Sequence, residues 1–266
     1  MEFRILGPVE VADGCRLHTP SARKPRMLLA SLLVRPGTVV PAESLVDGLW
    51  AAAPPRTART ALQVYVSRLR AMLAAAGPGG PDRRCELLTQ PAGYVLQLGD
   101  SELDAREFER LCQQAREAQA QGAMATASGL LADALALWRG PALSDVRTGP
   151  LLETAATVLD EARMAALERR IELDLSLGRH ADLVGELYAM VAEHPLRESL
   201  HRHLMLALHR SGRQADALRG YADIRRTLVE ELGMEPGRDL QQLHRAILRH
   251  DVSLDVREPA ALCSPA

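Results

Sequence analysis

This 266-residue sequence has few aromatics, few cysteines and a single lysine, and each scarcity excludes something. With two Trp, four Tyr and two Phe, the core must be assembled from Leu, Ala, Val and Ile. Lys24 stands alone against 31 arginines, as a GC-rich genome would produce. Cys15, Cys85, Cys112 and Cys263 form no CxxC pair. That argues against a zinc ribbon or a disulfide scaffold and for a reducing compartment. No apolar run approaches the ~20 residues that cross a bilayer. The opening MEFRILGPVEV is strand-like and lacks the apolar core of a signal peptide. A cytoplasmic protein without a membrane partner is expected.

Enzyme signatures are missing as well. GPGGP at 77–81 is not followed by the Gly-Lys-Ser/Thr of a phosphate loop, and neither GxSxG nor HExxH occurs. His201 and His203 stand two apart and face different sides of a helix, a poor spacing for shared metal ligands. The expectation is a non-enzyme with no catalytic residue, no metal and no cofactor.

What is present is uneven. Residues 1–100 carry 12 Arg plus Lys against 8 Asp plus Glu, a net of +4. Residues 101–266 carry 20 against 26, a net of −6. A basic front half joined to an acidic back half suits a nucleic-acid-binding domain attached to something else.

Residues 1–18 predict short strands, with Phe3 and Ile5, then Val9 and Val11, alternating with polar neighbours. Leu28, Leu29, Leu32 and Leu33 predict a helix stopped by Pro36-Gly37. Leu45, Val46, Leu49 and Trp50 predict a second, closed by Pro54-Pro55. A third runs from about Arg56 to Ala75 with Leu62, Val66, Leu69 and Leu73 in one stripe. After a loop, GPGGPDRR, the segment Cys85–Leu98 predicts a hairpin with Gly93 near its turn. Strands, three helices and a hairpin are the order of a winged helix, so residues 1–100 are expected to fold alone as an α+β DNA-binding domain.

From residue 101 the pattern is helical. Asp104 and Glu107 have capping-box spacing, with Leu103 and Phe108 placed as a staple. Gly178-Arg179-His180-Ala181-Asp182-Leu183 recurs as Gly212-Arg213-Gln214-Ala215-Asp216-Ala217. The offset of 34 residues is the tetratricopeptide period, and a looser third unit starts at Gly122. Residues 101–250 are therefore an all-α, tetratricopeptide-like domain, and 251–266 a tail without fixed structure. The fold class is mainly α: a winged helix followed by a helical-repeat domain.

The outward face of the third helix carries the candidate chemistry. Opposite its core stripe lie Thr60, Val64, Ser67 and Ala71, flanked by Thr57, Gln63 and Arg68. Thr or Val meets a thymine methyl, and Arg reads guanine bidentately. Arg56, Arg59 and Arg70 lie nearer the edges, where phosphates run. The hairpin Leu88–Tyr94, with Gln90, is a candidate wing. The same features also fit an interaction scaffold whose winged helix binds protein rather than DNA.

Several motifs resemble one family: FRILGP at 3–8, LVDGLW at 45–50, VSRLR at 66–70, Gly93-Tyr94, ALALWRG at 134–140, HPLRE at 194–198 and EELG at 230–233. They make the sequence similar to a small member of the Streptomyces antibiotic regulatory protein (SARP) family, from Phe3 to about Leu248. The resemblance implies an OmpR-type winged helix followed by a bacterial transcriptional activator domain; no NTPase or sensor extension is expected after it. It implies a cytoplasmic, nucleoid-associated activator of a secondary-metabolite gene cluster. Such an activator binds double-stranded promoter DNA at direct repeats, as a homodimer, and recruits RNA polymerase holoenzyme. It makes the third helix the recognition helix and sets Trp50 and Arg70 along phosphates. Two features depart from the family pattern: Thr60 stands where Asn or a similar polar residue is usual, and Gln90 and Val95 stand where Arg is usual around Gly93-Tyr94.

Overall fold

The computed structural model describes residues 1–14, 16–51, 53–75 and 85–254. The loop at 77–84, Cys15, Cys263 and the tail from 255 lie outside the described residues. Packing divides the chain into two compact units: residues 1–114 with 132–165, and residues 115–131 with 166–266.

The first unit opens with strands β1 (Glu2–Arg4), β2 (Glu10–Asp13) and β3 (Arg16–Leu17). Helix α1 (Arg23–Leu33), β4 (Val40–Pro41), α2 (Ala42–Trp50) and α3 (Ala58–Ala75) follow, and the hairpin β5 (Glu86–Gln90) and β6 (Gly93–Gln97) comes next. Then come β7 (Glu102–Leu103) and α4 (Asp104–Ala120). The winged helix is thus present as α1, α2, α3 and the β5–β6 hairpin, with β4 pairing antiparallel to β6 to make a three-stranded sheet.

The apolar spacing read from sequence is what builds this core. Leu28, Leu29, Leu32 and Leu33 of α1, Leu45 and Leu49 of α2, and Leu62, Val66, Leu69 and Leu73 of α3 are all buried. Each such side chain contributes roughly 1.5–3 kcal/mol relative to exposure. Leu87, Tyr94, Val95 and Leu96 close the core from the hairpin.

A second sheet has the order β3-β2-β1-β7, with β7 parallel to β1. The compact unit that holds the winged helix runs past residue 100, where composition and pattern place a boundary, and takes in residues 101–114 and 132–165. Asp104 shows why. Its carboxylate accepts hydrogen bonds from the Ile5 N–H (2.8 Å) and the Leu6 N–H (3.0 Å), at the end of β1. Burial, the largest influence, pushes its carboxyl above the ordinary carboxylate value, and these N–H donors and Arg139 act the other way. Glu107, expected to reach back in a capping box, instead grips Arg110 at 2.7 and 2.5 Å. Farther along, Arg139 N–H donates to Leu6 O (2.8 Å) and Leu143 N–H to Ile5 O (3.1 Å). The Trp138 ring stands edge-on to Phe108 at 5.4 Å between centroids.

The second unit contains α5 from Met124 to Leu131 and α6 (Pro150–Ser176) from Ala166 onward. It continues through α7 (His180–Glu193), α8 (Glu198–Arg210), α9 (Gln214–Leu232) and α10 (Arg238–Leu248). The sequence repeat has a geometric counterpart. Gly122, Gly178 and Gly212 all take positive φ, at 78°, 79° and 75°. The N–H after each bonds a carbonyl five residues back: Ala123 to Ala118, Arg179 to Asp174, Arg213 to Leu208. The same left-handed stop closes the helix before each of these three glycines, and a residue without a Cβ fits it at the least steric cost.

The tail expected from 251 begins with an ordered turn at Val252–Leu254, and Arg210 Nε donates to Leu254 O (2.6 Å). His201 and His203 are both buried in α8. His201 shares Nε2 with the Pro195 carbonyl at 3.0 Å. Burial holds the His203 imidazole well below the ordinary histidine value, and the adjacent Arg202 guanidinium adds to it.

Candidate nucleic-acid interface

Helix α3 separates its two faces cleanly. Ala58, Leu62, Val66, Leu69 and Leu73 are buried, whereas Thr57, Arg59, Thr60, Gln63, Val64, Ser67, Arg68 and Ala71 are exposed. Val64 is 43% exposed, unusual for a branched apolar side chain inside a helix, and it stands amid the hydroxyls of Thr60 and Ser67. Arg56, in the turn before α3, is exposed too. Nine of the ten sequence-selected residues thus reach solvent and Trp50 is half-buried, with all but Trp50 and Gln90 on α3 or in the turn before it.

At 100° per residue, Tyr65 and Arg70 fall on opposite flanks of the exposed strip. On the first flank Tyr65 stacks with Trp50 of α2, centroids 6.1 Å apart and planes 15° apart. Lys24 Nζ lies 4.5 Å from the Trp50 ring centroid, a cation–π contact. Trp50 is half-buried, with Tyr65 stacked beside it and the Lys24 ammonium near its ring. Sequence reasoning set Lys24 aside as codon usage and passed over Tyr65. The recoverable signal was that a lone lysine had escaped the arginine bias.

On the second flank Arg70 ties α3 to the hairpin. Its Nε donates to Leu87 O (2.8 Å) and its Nη2 to Thr89 Oγ1 (2.8 Å). The guanidinium expected along phosphates is thus bonded to the hairpin and fixes helix against wing. Arg59 reaches Glu43 at 3.4 Å, but both side chains are over 80% exposed, so the pair is weak. Gln90 ends β5 and is exposed near the hairpin tip.

The hairpin is held at its base by a close approach. Gly93 pairs with Pro41, and Ala42 N–H donates to Ala92 O (3.1 Å). Residues of β4, β6 and α2 thus hold α3 and the wing in one body. No helix among the described residues is long and apolar enough to cross a membrane.

Comparison with known proteins matches the chain to two described families. Residues 19–96 match "Transcriptional regulatory protein, C terminal" and residues 103–248 match "Bacterial transcriptional activator domain". The chain is 42% identical over 262 residues to the regulatory protein DnrI of Streptomyces peucetius, covering 97% of this chain and 96% of that one. It is 41% identical to the regulatory protein AfsR of Streptomyces griseus over 96% of this chain, but spans only 25% of AfsR. Among solved structures, Mycobacterium tuberculosis EmbR in complex with a low affinity phosphopeptide superposes with a TM-score of 0.86 at 35% identity. That match covers 94% of this chain and 65% of the EmbR chain.

Proposed function

This chain belongs to the Streptomyces antibiotic regulatory protein family of DNA-binding transcriptional activators, and from that premise we propose that it activates a secondary-metabolite gene cluster by binding direct repeats at promoters as a homodimer and recruiting RNA polymerase. Residues 1–100 supply the DNA contacts and residues 101–250 the contact with polymerase, at the nucleoid. The observation that carries the DNA reading is the layout of α3: an exposed strip of Thr60, Val64, Ser67 and Arg68 with Trp50, Tyr65 and Lys24 on one flank and Arg70 on the other. A major groove presents that pattern in reverse, with base edges in the middle and phosphates on both sides.

In this reading Thr60, Val64, Ser67 and Arg68 face bases, with Gln63 beside them. Arg56, Arg59, Trp50 and Arg70 lie along phosphates, and Gln90 meets the backbone beside the wing. Arg68→Ala is expected to weaken binding to the cognate operator by ~1–3 kcal/mol and binding to random DNA far less. Titration of both DNAs over a range of salt checks it. Equal losses on the two would make Arg68 a phosphate contact, and salt-indifferent binding would favour the protein-binding scaffold.

The exposed strip is short, so one α3 reads a short site. Two protomers on one face of the duplex require half-sites spaced by about one helical turn, ~10–11 bp. Inserting ~5 bp between the repeats is expected to abolish cooperative binding, and a full-turn insertion to preserve much of it. Mobility shifts on such a spacer series decide the matter, and indifference to the half-turn insertion would mean independent monomers.

A further inference from the structure

The segment 139–149 lies outside the residues matched to the DNA-binding family, yet it grips the helix that carries Lys24. Asp145 Oδ2 pairs with Arg26 Nη1 at 2.8 Å, and its Oδ1 accepts from the Val9 N–H at 2.9 Å. Thr148 Oγ1 accepts from Arg23 Nη2 at 2.6 Å. Gly149 approaches α2 so closely that a Cβ there would stand 3.2 Å from Gly48 Cα. Arg139 bonds Glu10 at 2.9 Å and so ties the segment to β2 as well.

The grip falls where α1 is least self-sufficient. Its first turn holds Arg23, Lys24 and Arg26, with no acidic residue and no side-chain cap. Three like charges in one turn repel, and the helix dipole opposes cations there. The counter-charge comes from Asp145, and its pair with Arg26 is only about one-quarter exposed on either side. Lys24 follows directly after the gripped Arg23 and lies over Trp50, which stacks on Tyr65 of the recognition helix.

We propose that Lys24 is a phosphate-contacting residue of the DNA interface, and that Asp145 is a positioning residue that holds it there through Arg26. The ammonium is carried on the flank of α3 where Trp50 lies, and the Trp50 ring restricts where it can go. Asp145 touches no DNA. It keeps the first turn of α1 in register with the Trp50–Tyr65 stack, so part of the affinity for DNA is set by the region that follows the winged helix.

The inference rests on the DNA-binding reading above, and salt-dependence measurements on the full chain separate the two. One phosphate contact contributes about one unit to the slope of log K against log salt. The advantage of wild type over Lys24→Ala is therefore expected to shrink about threefold between 50 and 200 mM salt, on operator and random DNA alike. Asp145→Asn keeps the shape and the acceptor for Val9 but loses the charge. It is expected to lower the slope in the same way, and to change nothing further in a Lys24→Ala background. Should Asp145→Asn fail to fold by circular dichroism, Thr148→Val removes only the Arg23 bond and is expected to act in the same direction. An unchanged slope in Lys24→Ala, or an additive loss in the double variant, overturns the inference while wild-type binding stands. Absence of salt-dependent binding by the wild type would instead overturn the DNA reading itself.

Discussion

Gly93→Ala is expected to cost more than about 4 kcal/mol, beyond the range of most single substitutions. A Cβ on residue 93 would stand 2.0 Å from Val40 O and 2.9 Å from both Ala42 N and Pro41 Cα. All three are backbone atoms, so no rotamer change relieves the clash. The backbone itself is tied: Val40 pairs with Tyr94, Gly37 N–H donates to Leu96 O at 2.9 Å, and α2 starts at Ala42. Moving β4 aside would drag Leu45 and Leu49 from the core and turn the hairpin away from α3. A thermal midpoint lower by at least about 10 °C is expected, together with loss of operator binding. Gly129→Ala in α5 is the control. Nothing lies within 4 Å of its added Cβ, and Ala is the better helix former by up to about 1 kcal/mol. A Gly93→Ala protein that melts within about 2 °C of wild type would show that β4 can yield.

A fragment ending at residue 100 is expected to lose most of its stability, while one ending at residue 165 folds. Removing the later residues deletes β7, whose Leu103 pairs with Phe3, and the bond from Glu102 N–H to Met1 O at 3.0 Å. It strips the Asp104 carboxylate from Ile5 and Leu6, and Asp145 from Val9. Phe3, Ile5, Leu6 and Val9, each at most 1% exposed, lie on the backbone that these bonds hold in place. Re-exposing four such side chains costs on the order of 6–12 kcal/mol, comparable to the whole stability of a small domain. Urea titration of the two fragments by circular dichroism measures this. Equal midpoints and equal operator affinity would restore residue 100 as the limit of an independent fold.

The contrast between these residues shows where sequence reasoning reached. Local periodicity specified α1, α2 and α3, because burying one stripe of Leu and Val needs only spacing along one helix. The same arithmetic named the exposed face of α3 from Thr60 to Arg68, since a face is fixed once its opposite is known. Gly122, Gly178 and Gly212 announced their turns because a left-handed stop has a strong residue preference. Three features were not legible this way. Asp104 carries a capping signal, but a strand end about a hundred residues away competes for its carboxylate and prevails. Arg70 reads as an edge cation, and its bond to the Leu87 carbonyl shows only in the structure. Lys24 reads as background until Trp50 is seen beneath it. The sequence by itself determined the three helices and hairpin of the winged helix, their order, the exposed face of α3 and the family, all of which rest on short-range pattern. The tertiary structure alone decided which polar groups meet across the unit, because a hydrogen bond depends on distances of about 3 Å that no spacing along the chain encodes.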